Sequence, residues 1–123
     1  MDLYSAAPVG LLVYTREHMS VQIMRPDRPF LGDRLGGSTE AAAAAARGYQ
    51  AYFGTYSYQA ESGVVEHHID GALTPDWVGT TQLRYAQLSR DGLELTLTTA
   101  PLTVKGEEVV GTLVWRRISE PEE

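Results

Sequence analysis

The chain has 123 residues, 43 % of them hydrophobic, with a net charge of −6 and no cysteine. This is the length of one domain, expected over 1–119 ahead of an acidic tail at 120–123, and it can bury a core without covalent staples. The composition excludes the basic face that nucleic acid requires, the roughly 20-residue apolar run of a membrane span, and any disulfide framework, thiolate nucleophile or cysteine-held zinc.

Met1-Asp-Leu-Tyr has neither the basic start nor the apolar stretch of a secretion signal, so the expected setting is cytoplasmic. Val9 to Thr15 and Met19 to Arg25 alternate with period 2 and are expected as two strands joined by the short link Arg16-Glu17-His18. Pro26-Asp27-Arg28-Pro29 ends the pattern, because proline removes a ladder donor. Leu31 to Gly37 is a glycine-rich loop. Ser38 or Thr39 can cap a helix that starts at Glu40 and runs through six alanines. Arg47, Tyr49, Gln50, Tyr52 and Phe53 continue it to Gly54, giving a helix over about 39–53 with Tyr49, Tyr52 and Phe53 on one side.

Thr55 to Ala60 and Val64 to Asp70 are expected as a hairpin about Glu61-Ser62-Gly63. Gly79 to Leu88 and Leu93 to Thr98 form another, and Val109 to Ile118 is the last strand. About seven short strands at regular spacing, with one helix, predict a mainly β fold, an antiparallel barrel with the helix packed beside or across it. No internal repeat is present.

Strand parity sorts the side chains. Met19, Val21, Ile23 and Arg25 share the apolar face of their strand. Val65, His67 and Ile69 share another, which turns His67 inward and His68 outward. Gln82, Arg84, Ala86 and Leu88 lie together, opposed by Leu83, Tyr85 and Gln87. Tyr56 shares a face with Tyr58, and Leu113 with Trp115. Converging faces would line the interior with apolar side chains and a few polar groups, the usual make-up of a small-molecule pocket.

Several runs resemble the bacterial and fungal lipocalin-like domain proteins: Gly10-Leu-Leu-Val-Tyr-Thr15, His18-Met-Ser-Val-Gln-Ile-Met-Arg-Pro-Asp-Arg-Pro29, Tyr49-Gln-Ala-Tyr-Phe-Gly-Thr-Tyr56, His67-His68, Trp77-Val-Gly-Thr80 and Gly111-Thr-Leu-Val-Trp115. Together they span most of the chain in the family's order. The resemblance implies a calycin-like β-barrel. Members usually open with a strand carrying Gly-x-Trp-x-Leu, which is missing here. The edge it would cover is a pairing liability, so a homodimer is expected. Barrels of this kind serve as carriers and as cyclases or isomerases, and fold alone does not choose between them.

The candidate chemistry is concentrated between Glu66 and Arg84. Adjacent histidines on a strand face opposite ways, so His67 and His68 cannot share one ion without distant partners such as His18 or Asp76. No metal and no cofactor are expected. His67 is either a buried histidine satisfied by a tyrosine or carbonyl, or an acid/base or anchor for a ligand. Arg84 either pairs with Glu66, Asp70 or Asp76, or takes the anionic end of a ligand beside Gln82. Arg25 and Arg28 either form one rim of the pocket or hold a structural turn with Asp27. Tyr52, Tyr56, Tyr58 and Trp115 are core or ligand wall, and Trp77 plugs one end of the barrel.

The expected function is binding of a small organic ligand, largely apolar with a polar or anionic group. The ligand contacts would be Met19, Arg25, Tyr52, Tyr56, Tyr58, His67, Gln82, Arg84 and Trp115. The alternatives are a cofactor-free cyclase or isomerase, in which His67, Arg84 and Tyr56 are the catalytic candidates, and an interaction dimer with a filled barrel.

Overall fold

Alternation of apolar and polar side chains dictates strand over most of the chain, and the computed structural model describes residues 7–32 and 37–118. The strands are β1 (Val9–Tyr14), β2 (His18–Met24), β3 (Tyr49–Gln59), β4 (Val64–Ala72), β5 (Thr81–Leu88), β6 (Glu94–Thr99), β7 (Leu102–Val104), β8 (Glu107–Val109) and β9 (Thr112–Arg116), with one helix, α1 (Thr39–Arg47). Seven of them form a sheet in the order β1-β2-β3-β4-β5-β6-β9, and β7 pairs with β8. The fold is mainly β with a single helix among the described residues, as the resemblance implied. The expected acidic tail lies outside the described residues.

The chain divides into two compact bodies. The first takes the chain to Thr55 together with His68–Thr80; the second takes Tyr56–His67 and everything from Thr81.

In the first body, β1 and β3 flank β2 in antiparallel register, with Leu12 opposite Val21 and Val21 opposite Tyr52. Met19, Val21, Ile23, Tyr52 and Ile69 are its buried apolar residues. Full burial of each such side chain contributes about 1.5–3 kcal/mol. Gly54 is required by close approach: a Cβ there would collide with the His68 carbonyl. Gly71 makes room in the same way for the Phe53 ring.

The helix is shorter than expected. Ser38 caps it by accepting the Ala41 N–H at 3.1 Å, and Gly48 closes it after Arg47. Tyr49, Tyr52 and Phe53 therefore belong to β3, not to a helix face over 39–53. The reason is tertiary: Gln50, Tyr52 and Gly54 are buried at period 2, and pairing with β2 overrides the local i, i+3, i+4 pattern.

In the second body, β6 lies between β5 and β9, with Ala86 opposite Leu97 and Leu97 opposite Leu113. Val65, His67 and Leu97 are its buried residues. The last strand is not continuous from Val109. Val110-Gly111 breaks it, and Gly111 both donates its N–H to Thr99 Oγ1 at 2.9 Å and accepts the Thr99 N–H at 2.8 Å. The break lets β8 fold back on β7 through Lys105 and Gly106, whose φ values of 51° and 80° suit a tight hairpin turn.

Candidate functional site

Cross-strand register determines which side chains in the second body share a face. Antiparallel partners lie on the same side of a sheet. The Ala86 N–H donates to the Gly63 carbonyl at 2.7 Å. Counting along β4 and β5 from that bond sets Arg84 beside Val65 and Gln82 beside His67. Arg84 is in turn opposite Thr99, and Leu88 is opposite Leu95, which is opposite Trp115.

One face of β4, β5, β6 and β9 is thereby ordered in rungs. His67 and Gln82 make the first. Val65, Arg84, Thr99 and Gly111 make the second. Gly63, Ala86, Leu97 and Leu113 make an apolar third, and Leu88, Leu95 and Trp115 the last. Val65, His67 and Leu97 are buried at 4 %, 1 % and 7 % exposure, while Gln82, Arg84 and Trp115 are half-buried. On the opposite face Leu83, Tyr85 and Val114 are exposed.

Two polar groups on this face are of special interest. The Arg84 Nη1 donates to the Leu83 carbonyl at 2.9 Å. Among the described residues no carboxylate lies within ion-pair distance of it; the ion pairs join Arg25 to Asp27 and Arg116 to Glu94. Pairing with Glu66, Asp70 or Asp76 is therefore not what Arg84 does. Glu66 instead accepts from Gln59 Nε2 at 2.7 Å. The second group is the Trp115 indole N–H, which is buried and has no acceptor among the described residues.

The other sequence candidates lie elsewhere or are differently employed. Met19 and Tyr52 are buried in the first body, and the Tyr52 ring meets Trp77 at 5.6 Å. Arg25 forks onto Asp27 through Nε and Nη2, both at 3.1 Å. That hydrogen-bonded pair raises the Arg25 pKa and holds the Asp27 carboxyl below its ordinary range. Arg28 stacks over Tyr49 at 5.1 Å and donates to the Ala45 carbonyl at 3.4 Å, tying the chain after β2 to the end of α1. Tyr56 is half-buried. Tyr58, at the hairpin end of β3, is 55 % exposed: alternation gives a side chain's face but not its depth.

Sequence reasoning missed Gln50, which is 7 % exposed in the first body. Its period-2 spacing with Tyr52 and Gly54 was the available signal, hidden by the helical reading. It also missed Thr99, which register sets beside Arg84. Among the described residues no three histidines, aspartates or glutamates gather in a way that could hold a metal ion. No helix among them is long and apolar enough to cross a membrane.

Comparison with known proteins agrees with this architecture. The family model described as a lipocalin-like domain matches residues 4–118. The chain is 36 % identical over 108 residues to the 4'-hydroxy-3'-methoxypropiophenone carrier protein ppsC of Aspergillus oryzae, a match that covers 81 % of this chain and 96 % of that protein. No solved structure gives a significant match.

Proposed function

The chain belongs to the lipocalin-like domain family, and from that premise we propose that it is a carrier for a small, single-ring aromatic ketone bearing an acidic hydroxyl. The observation that carries this reading is Arg84. A half-buried arginine with no carboxylate partner among the described residues, on a face floored by Val65 and Leu97, is costly to keep. It is well matched by a ligand that supplies the missing negative charge. Gln82 lies on the neighbouring rung and places a primary amide near the same end of the ligand.

The chemistry named for the Aspergillus oryzae relative fits such a face. A phenol para to a carbonyl is more acidic than an ordinary phenol, because the carbonyl delocalises the phenolate charge. Its oxygen therefore suits a charge-assisted hydrogen bond from Arg84. The ring and ethyl chain suit the apolar rung of Ala86, Leu97 and Leu113.

Titration calorimetry with 4'-hydroxy-3'-methoxypropiophenone tests the proposal. The expected result is saturable one-to-one binding in roughly the micromolar range, fitting a ligand of this size, with the compound recovered chemically unchanged. Absence of binding to this compound and to a panel of related hydroxyaryl ketones would overturn the carrier reading. Conversion of the compound on incubation would replace it with an enzyme.

A further inference from the structure

Trp115 carries a second recognition element, of opposite electrical character to Arg84. Its Nε1–H is buried without an acceptor among the described residues, although the residue as a whole is only half-buried. An indole nitrogen is a donor only. Buried donors in folded proteins are nearly always satisfied, and leaving one unmade is costly. The group lies on the face that holds Arg84, at the opposite end of the apolar rung.

The strand geometry gives the separation. Trp115 is four residues along β9 from Gly111, and Gly111 lies on the rung of Arg84 and Thr99. At 3.3 Å per residue this is roughly 13 Å along the strands. β9 is also two strands removed from β5, which adds roughly 10 Å sideways. The diagonal between the two backbone positions is thus about 16 Å. Two long side chains, arginine and tryptophan, can together with one substituted ring bearing a short chain bridge a span of that size. The intervening rung, Ala86, Leu97 and Leu113, offers no polar side chain.

Resting on the carrier reading above, we infer that Trp115 is the specificity-determining donor of the site. Its Nε1–H donates to a neutral acceptor, the ketone oxygen, at the end of the ligand remote from the acidic hydroxyl held by Arg84. The two ends are read by different physics. A guanidinium selects charge, whereas an uncharged indole N–H selects a carbonyl oxygen without requiring a counter-charge. The site would then discriminate an aryl ketone from the same skeleton with the carbonyl reduced to a methylene. Apolar contact alone does not make that distinction sharply.

The experiment compares 4'-hydroxy-3'-methoxypropiophenone with 2-methoxy-4-propylphenol, its analogue in which CH2 replaces the carbonyl. The chain has two tryptophans, so a proton–nitrogen spectrum of this 123-residue chain shows two indole N–H signals. Trp77→Phe and Trp115→Phe assign them independently, so one well-folded variant suffices. The ketone should move the Trp115 indole proton downfield, and the methylene analogue should not. Because the carbonyl also acidifies the phenol that Arg84 holds, the readout is each compound's loss on mutation. Trp115→Phe should bind the ketone about five- to tenfold more weakly than wild type does, the effect of one neutral hydrogen bond, and should bind the methylene analogue as wild type does. Undiminished affinity of Trp115→Phe for the ketone, with an unmoved Trp115 signal in wild type, would overturn the inference while leaving the carrier reading intact. If neither compound binds, the carrier reading falls and takes the inference with it.

Discussion

Gln50 Nε2 donates to Thr74 Oγ1 at 3.1 Å, and the same amide's oxygen accepts the Ala51 N–H at 3.0 Å. A buried glutamine at the start of β3 thus clasps the segment that follows β4. The Leu73 N–H adds a bond to the Ala51 carbonyl at 2.8 Å. Three residues beyond Thr74, Trp77 rests against Tyr52, so the clasp fixes an aromatic contact of the first body as well as a loop.

Gln50→Leu therefore removes a satisfied buried polar group and strands its partners. The expected destabilisation is about 1–3 kcal/mol, the cost of leaving the Ala51 N–H without its acceptor and the Thr74 hydroxyl without its donor. Thr74→Val should cost less, about 1 kcal/mol. Urea unfolding of the two single variants and the double variant checks the coupling. If the clasp is real, the double variant is less destabilised than the sum of the singles.

Gly54→Ala tests the close approach of β3 and β4. A methyl group there meets the backbone carbonyl of His68, which cannot rotate away as a side chain could. The strands must separate, at about 1–3 kcal/mol or more. Gly79→Ala is a useful contrast. No atom lies within 4 Å of a Cβ at Gly79, so its cost comes only from the φ of 83°. Amide hydrogen exchange should show ladder protection near His68 falling in Gly54→Ala and unchanged in Gly79→Ala.

The β5–β6 turn should be sensitive to acid. Asp91 Oδ1 accepts the Ser89 hydroxyl at 2.6 Å and the Leu93 N–H at 3.0 Å. The Ser89 bond first, and then the Leu93 amide, hold the Asp91 carboxyl below the ordinary carboxylate range. A depressed folded-state pKa favours folding above the unfolded-state value, and the gain disappears as pH falls through the folded value. Exchange of the Leu93 amide should therefore quicken, after correction for intrinsic rates, only below the usual carboxylate range. In Asp91→Ala it should be fast already at neutral pH, with no acid step.

Alternation made the strands and their inward faces legible: Met19, Val21 and Ile23, then Val65, His67 and Ile69, are where parity assigned them. It failed at Tyr49–Phe53, because the i, i+3 and i+4 aromatic spacing is also compatible with a strand, and only pairing with β2 decides. It failed again at Val110-Gly111, where a break depends on the Thr99 hydroxyl from another strand. The nature of Arg84 was half legible. Its face could be read from parity, but whether an acid reaches it depends on register and side-chain direction, which no single sequence carries. The unpartnered Trp115 N–H was invisible for the same reason.

Arg84 offers the sharpest separation of stability from function. A structural arginine loses stability when truncated, because it leaves a partner behind. Among the described residues Arg84 has no carboxylate partner to leave. Replacing it with leucine removes a poorly compensated charge from a face that already contains Val65 and Leu97. Arg84→Leu should therefore keep or raise stability, by up to about 2 kcal/mol, measured as a urea midpoint. The same variant should lose about tenfold or more in affinity for the hydroxyaryl ketone, because a charge-assisted bond is worth more than a neutral one. Arg116→Leu is the control: Arg116 pairs loosely with Glu94 at 3.8 Å on the exposed side of β9, and should move neither quantity much. A drop in stability for Arg84→Leu without a drop in affinity would make Arg84 a structural residue, and the polar end of the site would have to be sought at His67 and Gln82 alone.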